Sequence, residues 1–143
     1  MGSVVQLPTY HADVKQFGWE LIMDEFECID LENVESVAVV KFKDKKVMDP
    51  ARIEKLGLEL LALVKTDDSA NVLINFENVN FFSSAAINKL IILEKRVRAC
   101  GGMIRLSNLR PEVRDLFSYT NLDSMFQIDE LQSESMESFG TGD

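Results

Sequence analysis

The 143 residues amount to one domain's worth of chain, and with 46% apolar and 27% charged residues that domain can bury a real core. Fifteen Lys and Arg against 24 Asp and Glu leave a net charge of −9, which speaks against a general nucleic-acid binder. No stretch approaches the roughly 18 consecutive apolar residues of a membrane-spanning helix, and the start lacks the basic residues and long apolar run of a secretory signal. The opening Met1-Gly2-Ser3 resembles a myristoylation start, but Gln6 stands where Ser or Thr is wanted. Cys28 and Cys100 are too few and too far apart for a disulfide framework. The expected class is a soluble, cytoplasmic domain.

Charge is unevenly spread. Residues 13–35 hold eight acidic groups and one Lys, and residues 121–143 hold six acidic groups and no Lys or Arg. The stretch 36–122 holds fourteen basic and ten acidic residues, so an acidic frame surrounds a mildly basic middle. Solvated faces account for this, as does electrostatic steering of a partner.

Residues 1–25 are poorly patterned, contain Pro8, Gly18 and the single Trp, Trp19, and read as an extension that can pack on the domain edge. Phe26 to Leu31 alternates apolar and polar like a half-buried strand, a turn is expected around Asn33, and Val37 to Phe42 reads as a second strand paired with the first. After the charged connection Lys43–Lys46, Asp49 can cap a helix that Pro50 opens, since proline lacks the N–H that would go unpaired there. Ile53, Leu56, Leu60 and Leu63 or Val64 recur at helical spacing, with Asp67-Asp68-Ser69 as the expected end. Val72 to Phe76 is nearly all apolar, as in the buried middle of a sheet.

Phe81 and Phe82 lead into a helix whose core stripe is Ala86, Leu90, Leu93, Val97 and Cys100, with Asn88, Lys95, Arg96 and Arg98 in water. Gly101-Gly102 ends it by permitting positive φ. Met103 to Leu106 is the next strand, Pro111 opens a helix with Val113, Leu116 and Phe117 inward, and Met125 to Ile128 is a last short strand. A terminal helix is expected over 130–138, with 139–143 as a flexible tail. The order ββαβαβαβα predicts a single α/β domain over residues 26–138, its sheet mixed but mainly parallel, with right-handed crossovers.

Catalytic constellations are absent. His11 is the only histidine and lies in the loosest part of the chain, and with Cys28 and Cys100 it has no metal-ligand spacing. There is no Walker loop, no Gly-x-Gly-x-x-Gly and no Gly-x-Ser-x-Gly. No enzyme activity, metal or cofactor is expected. Asp67-Asp68 reads as a helix-ending turn, and Phe81 and Phe82 as packing at a strand–helix corner. One feature remains, Ser83-Ser84 at a helix start. Plain capping explains it, because hydroxyls satisfy the free N–H groups there. Phosphorylation explains it too: a phosphate would meet the same donors and the positive end of the helix dipole, and would add a charge of about −1.5 to −2.

Four segments in natural order resemble the STAS family, and within it the anti-sigma factor antagonists of bacteria, over residues 26–138. Val47-Met48-Asp49 resembles the family's Leu-Asp turn before its first helix. Val72–Phe76 with Val79–Phe82 resembles the central strand and its lead into the switch loop, and Ser83-Ser84-Ala85-Ala86-Ile87 falls where the family has Asp-Ser-Ser/Thr-Gly-Leu. Gly101-Gly102, Leu106, Val113, Leu116-Phe117, Thr120, Leu122, Phe126 and Ile128 follow its C-terminal pattern. Counting back from Gly101 without gaps puts Ser84 on the phosphorylated Ser, with Ser83 in place of Asp and Ala86 in place of Gly.

The resemblance implies a phospho-switched regulator that binds an anti-sigma factor when unphosphorylated and so frees a sigma factor. The anti-sigma factor would be an ATP-dependent serine kinase, and a serine phosphatase would reverse the mark. The implied contact surface is Met48, Asp49, Ser83, Ser84, Ile87, Asn88 and Ile91. Ile87 and Ile91 lie off the main core stripe, and either stand exposed as anchors or pack on a neighbouring element. The alternative is a STAS interaction module without a phosphate switch, in a stress-sensing assembly or beside a lipid transporter.

Overall fold

The computed structural model describes residues 26–64 and 71–141. The expectations for residues 1–25, including His11 and Trp19, and for a turn at Asp67-Asp68-Ser69 lie outside the described residues.

Strands β1 (Ile29–Val34) and β2 (Val37–Phe42) form an antiparallel hairpin with Ile29 opposite Phe42 and Val34 opposite Val37. Its two-residue turn is Glu35-Ser36, both at positive φ (51° and 70°), the handedness that suits the twist of the flanking strands. The turn therefore lies beyond Asn33, which is in the strand, and β1 starts at Ile29 rather than Phe26. Residues 26–28 are instead held by side chains and by one backbone bond, from the Lys43 amide to the Cys28 carbonyl at 2.9 Å. Lys43 donates to the Phe26 carbonyl at 2.9 Å and Arg52 to the Glu27 carbonyl at 3.0 Å. Glu59 accepts from the amides of Glu27 and Cys28 at 2.8 and 3.0 Å.

The main sheet has the order β1-β2-β4-β6-β7, in which β4 (Asn71–Asn75), β6 (Met103–Ser107) and β7 (Gln127–Asp129) run parallel to β2. β4 is central and its Val72, Leu73 and Ile74 are fully buried, as the unbroken apolar run requires. β7 starts two residues later than the sequence suggests, because a 3₁₀ turn occupies Leu122–Ser124. A second, two-stranded parallel sheet, which the sequence reading did not anticipate, joins β3 (Lys46–Val47) to β5 (Phe81–Phe82).

Each crossover advances the same way along the sheet, so α1 (Pro50–Leu61), α2 (Ser84–Ala99) and α3 (Pro111–Tyr119) share one face. Their buried Ile53, Leu56, Leu60, Leu90, Leu93 and Phe117 join Val40, Val72, Ile74 and Leu106 in one core. Phe76 links the aromatic part of this core, with ring centroids 5.1 Å from Phe42, 5.2 Å from Phe82 and 6.0 Å from Phe117. α1 ends at Leu61, earlier than the expected Asp67, because the chain tightens into i→i+3 bonds from Leu63 to Leu60 and from Val64 to Leu61. At the α1–α2 contact the stem of Lys89 lies over Gly57, where a Cβ would sit 2.7 Å from its Cδ, and its ammonium reaches Glu54 at 3.2 Å.

α2 ends as Gly101-Gly102 predicts. Gly101 has φ 82°, and the amides of Gly102 and Gly101 bond the carbonyls of Val97 and Arg98 at 2.9 and 3.0 Å. Cys100 caps this end, half-buried and packed against the core at the foot of the stripe. Among the described residues, the opposite face of the sheet receives α4 (Gln132–Thr141) alone. The helix runs past Ser138 and buries Phe139 against Val37, Val39 and Leu73, which corrects the expectation of a flexible tail from residue 139. A large apolar ring with an apolar surface to cover keeps the helix going.

Candidate functional site

The β3–β5 ribbon builds the site. Alternation along these two-residue strands sends Val47 and Phe82 inward, both buried, with Phe82 packed on Phe42 at 5.3 Å and on Phe76 at 5.2 Å. Lys46 and Phe81, opposite one another in the register, face outward, and Phe81 is 47% exposed. Phe82 therefore fits the expectation of corner packing and Phe81 departs from it. One bond extends the pairing past the strands, from the Ser83 amide to the Val47 carbonyl at 3.0 Å. Met48 and Asp49 thus come beside Ser83 and Ser84, and the starts of α1 and α2 lie side by side.

Each helix start is capped by its own side chain. Asp49 Oδ2 accepts from the Arg52 amide at 3.0 Å, and Ser83 Oγ accepts from the Ala86 amide at 3.2 Å. The two adjacent serines are therefore distinct: Ser83 is half-buried and committed to the cap, while Ser84 is exposed as the first residue of α2. An exposed hydroxyl there can accept a phosphoryl group next to unpaired N–H donors and the positive end of the helix dipole.

Of the other residues singled out in the sequence, Met48 (55% exposed), Asp49 and Asn88 are at the surface, and Ile91 is half-buried. Ile87 is not an exposed anchor. It is buried in the core, because the apolar face of α2 is wide enough to take residues on both sides of Ala86 and Leu90. Phe81 is the apolar surface residue that the sequence reading assigned to packing. Its signal was the strand period of two, which puts the second of two consecutive Phe on the opposite side from the first.

Elsewhere the chemistry is sparse. Burial pushes the Cys28 thiol up, and the nearby Glu59 carboxylate pushes it the same way, so Cys28 is no ready thiolate. Among the described residues no group of His, Cys, Asp and Glu could hold a metal ion, and no helix is long and apolar enough to cross a membrane.

Comparison with known proteins gives a consistent family. The STAS domain family matches residues 29–135. BtrV of Bordetella bronchiseptica, a candidate anti-sigma factor antagonist, is 26% identical over 95 residues, covering 66% of this chain and 81% of that protein. An anti-sigma-factor antagonist (STAS) domain protein from Planctomyces limnophilus superposes with a TM-score of 0.69 at 22% identity, covering 77% of this chain and 95% of that one. The Bacillus cell fate determinant SpoIIAA in its phosphorylated form gives a TM-score of 0.58 at 18% identity, covering 78% of this chain and 98% of that one. These two structural likenesses show the fold.

Proposed function

Because the chain belongs to the STAS domain family, we propose that it is an anti-sigma factor antagonist, switched off by phosphorylation of Ser84. Unphosphorylated, it binds an anti-sigma factor and so leaves a sigma factor free for transcription. The anti-sigma factor is also the ATP-dependent serine kinase, and a serine phosphatase restores the binding form. The observation that carries this reading is the ribbon bond from Ser83 to Val47, which sets an exposed Ser84 beside Met48 and Asp49 on one accessible end of the domain. The contact surface is Met48, Asp49, Ser83, Ser84, Asn88 and the exposed part of Ile91, with Ile87 supporting it from beneath. The name of BtrV and the phosphorylated state of SpoIIAA support the same reading.

Physically, the switch is an electrostatic one. In the free protein the α2 N-terminus stabilises a phosphate, so the fold survives the modification. In the complex the same charge, next to Asp49, must be desolvated against a surface shaped for a neutral hydroxyl. An uncompensated buried charge costs several kcal/mol by order of magnitude, and about 1.4 kcal/mol is already tenfold in affinity. The test is a titration with an anti-sigma factor that carries serine kinase activity. Ser84→Asp weakens the complex at least about tenfold, while Ser84→Ala binds like wild type and takes up no phosphate from ATP.

A second reading, a STAS interaction module with no phosphate switch, is favoured by Ser83. Its side chain is spent on the Ala86 amide, and the position offers no carboxylate beside Ser84. Equal affinities for wild type, Ser84→Asp and Ser84→Ala would put this reading in front.

A further inference from the structure

We infer that Arg52 is a positioning residue for the partner surface: it holds both ends of the segment Asp44–Asp49, which presents Met48 beside Ser84. What binds there rests on the proposed function, whereas the positioning does not.

Arg52 stands in the first turn of α1 and acts through two separate parts. Its backbone amide donates to the Asp49 carboxylate at 3.0 Å, which closes the far end of the segment. Its guanidinium reaches back to the near end, where Nε and Nη2 donate to the two carboxylate oxygens of Asp44, both at 3.0 Å. Two parallel bonds of this kind fix direction as well as distance. Nη2 also donates to the Glu27 carbonyl at 3.0 Å, so the guanidinium is itself held against a third part of the chain.

Between its two ends the segment is laced to the other strand of the ribbon. The Lys45 carbonyl accepts from the amides of Asn80 and Phe81 at 2.7 and 3.3 Å, and the Val47 carbonyl from the Ser83 amide. Met48, 55% exposed, has no polar group of its own to fix it, so its place follows from the backbone on either side. The Arg52–Asp44 pair is too open to matter much for global stability, with side chains 36% and 35% exposed. Its effect is on order. With Asp44 released, the near end of the segment must be ordered again each time a partner binds, and that cost falls on affinity.

Arg52→Gln and Asp44→Ala remove the pair from opposite sides and change the charge in opposite directions, so a loss common to both belongs to the pair. Both keep a urea midpoint near that of wild type. Both weaken binding to an anti-sigma factor with serine kinase activity by about two- to tenfold, the cost of ordering one flexible side chain at an interface. The double variant loses no more than either single one, and Arg52→Lys recovers only part, because a point charge makes no paired bonds. In the free chain the Asn80 amide, bonded to the Lys45 carbonyl, exchanges hydrogen faster in both variants relative to the amides of β4. Wild-type exchange at Asn80 in both variants overturns the inference whatever the partner is, and so does wild-type affinity in both. Losses that add in the double variant also overturn it, since Arg52 and Asp44 then touch the partner separately. Failure of the wild-type chain to bind at all overturns the proposed function instead, and Asn80 then decides the positioning.

Discussion

Replacing Asp129 by Asn tests what holds α4 to the sheet. The Asp129 carboxylate accepts from Arg105 Nε and Nη2 at 2.9 and 3.3 Å, and from the hydroxyl of the fully buried Ser135 at 2.7 Å. The Arg105 and Asp129 side chains are 14% and 19% exposed, so both charges are largely out of water. Asn keeps the shape and one accepting oxygen but leaves the guanidinium without a counter-charge. Breaking a fully buried pair costs roughly 3–5 kcal/mol and an exposed one under about 1, so this site should lose about 2 kcal/mol. Against a total stability of about 5–15 kcal/mol, that is a plain drop in urea midpoint at unchanged slope. The bond from Arg105 holds the Asp129 carboxyl below the usual Asp range, helped by Ser135 and opposed by burial. A carboxyl depressed by folding contributes stability that is complete above its unfolded value and is lost as pH falls through the folded one. The gap between wild type and Asp129→Asn is therefore widest at pH 7 and narrows below about pH 4. Equal midpoints at pH 7, or a gap as wide near pH 3 as at pH 7, would refute this reasoning.

Ser83→Ala removes the α2 cap and should cost about 1 kcal/mol in urea unfolding, since only the bond to the Ala86 amide is lost. Phe82→Ala empties a fully packed aromatic position and should cost about 3–5 kcal/mol in thermal unfolding. In the same variant the Ser83 amide should exchange hydrogen faster relative to the amides of β4, because Phe82 is what seats the ribbon.

The sequence shows its large, periodic features well. The apolar run of β4, the Asp49-Pro50 start of α1 and the Gly101 end of α2 each follow from one local rule, and each stands where that rule puts it. Short or compensated features are harder to see. β3 and β5 are two residues each, too few for any period to register, yet their pairing assembles the site. The hairpin turn uses Glu35 and Ser36 at positive φ, with no Gly or Asn to mark it. Ile87 widens the buried face of α2 beyond the stripe its spacing marks, and the charged clamp on residues 26–28 comes from side chains distant in sequence.

The strand order also decides how another molecule can approach. Among the described residues the sheet has two margins, β1 and β7. β1 sets exposed Asp30 and Glu32 along its length, and β7 is only three residues long before the chain turns into α4. Both are poor templates for an added strand, one repelling a bare backbone with carboxylates and the other too brief to zip. Both margins thereby disfavour backbone pairing, which leaves side chains rather than a strand edge as this domain's means of contact.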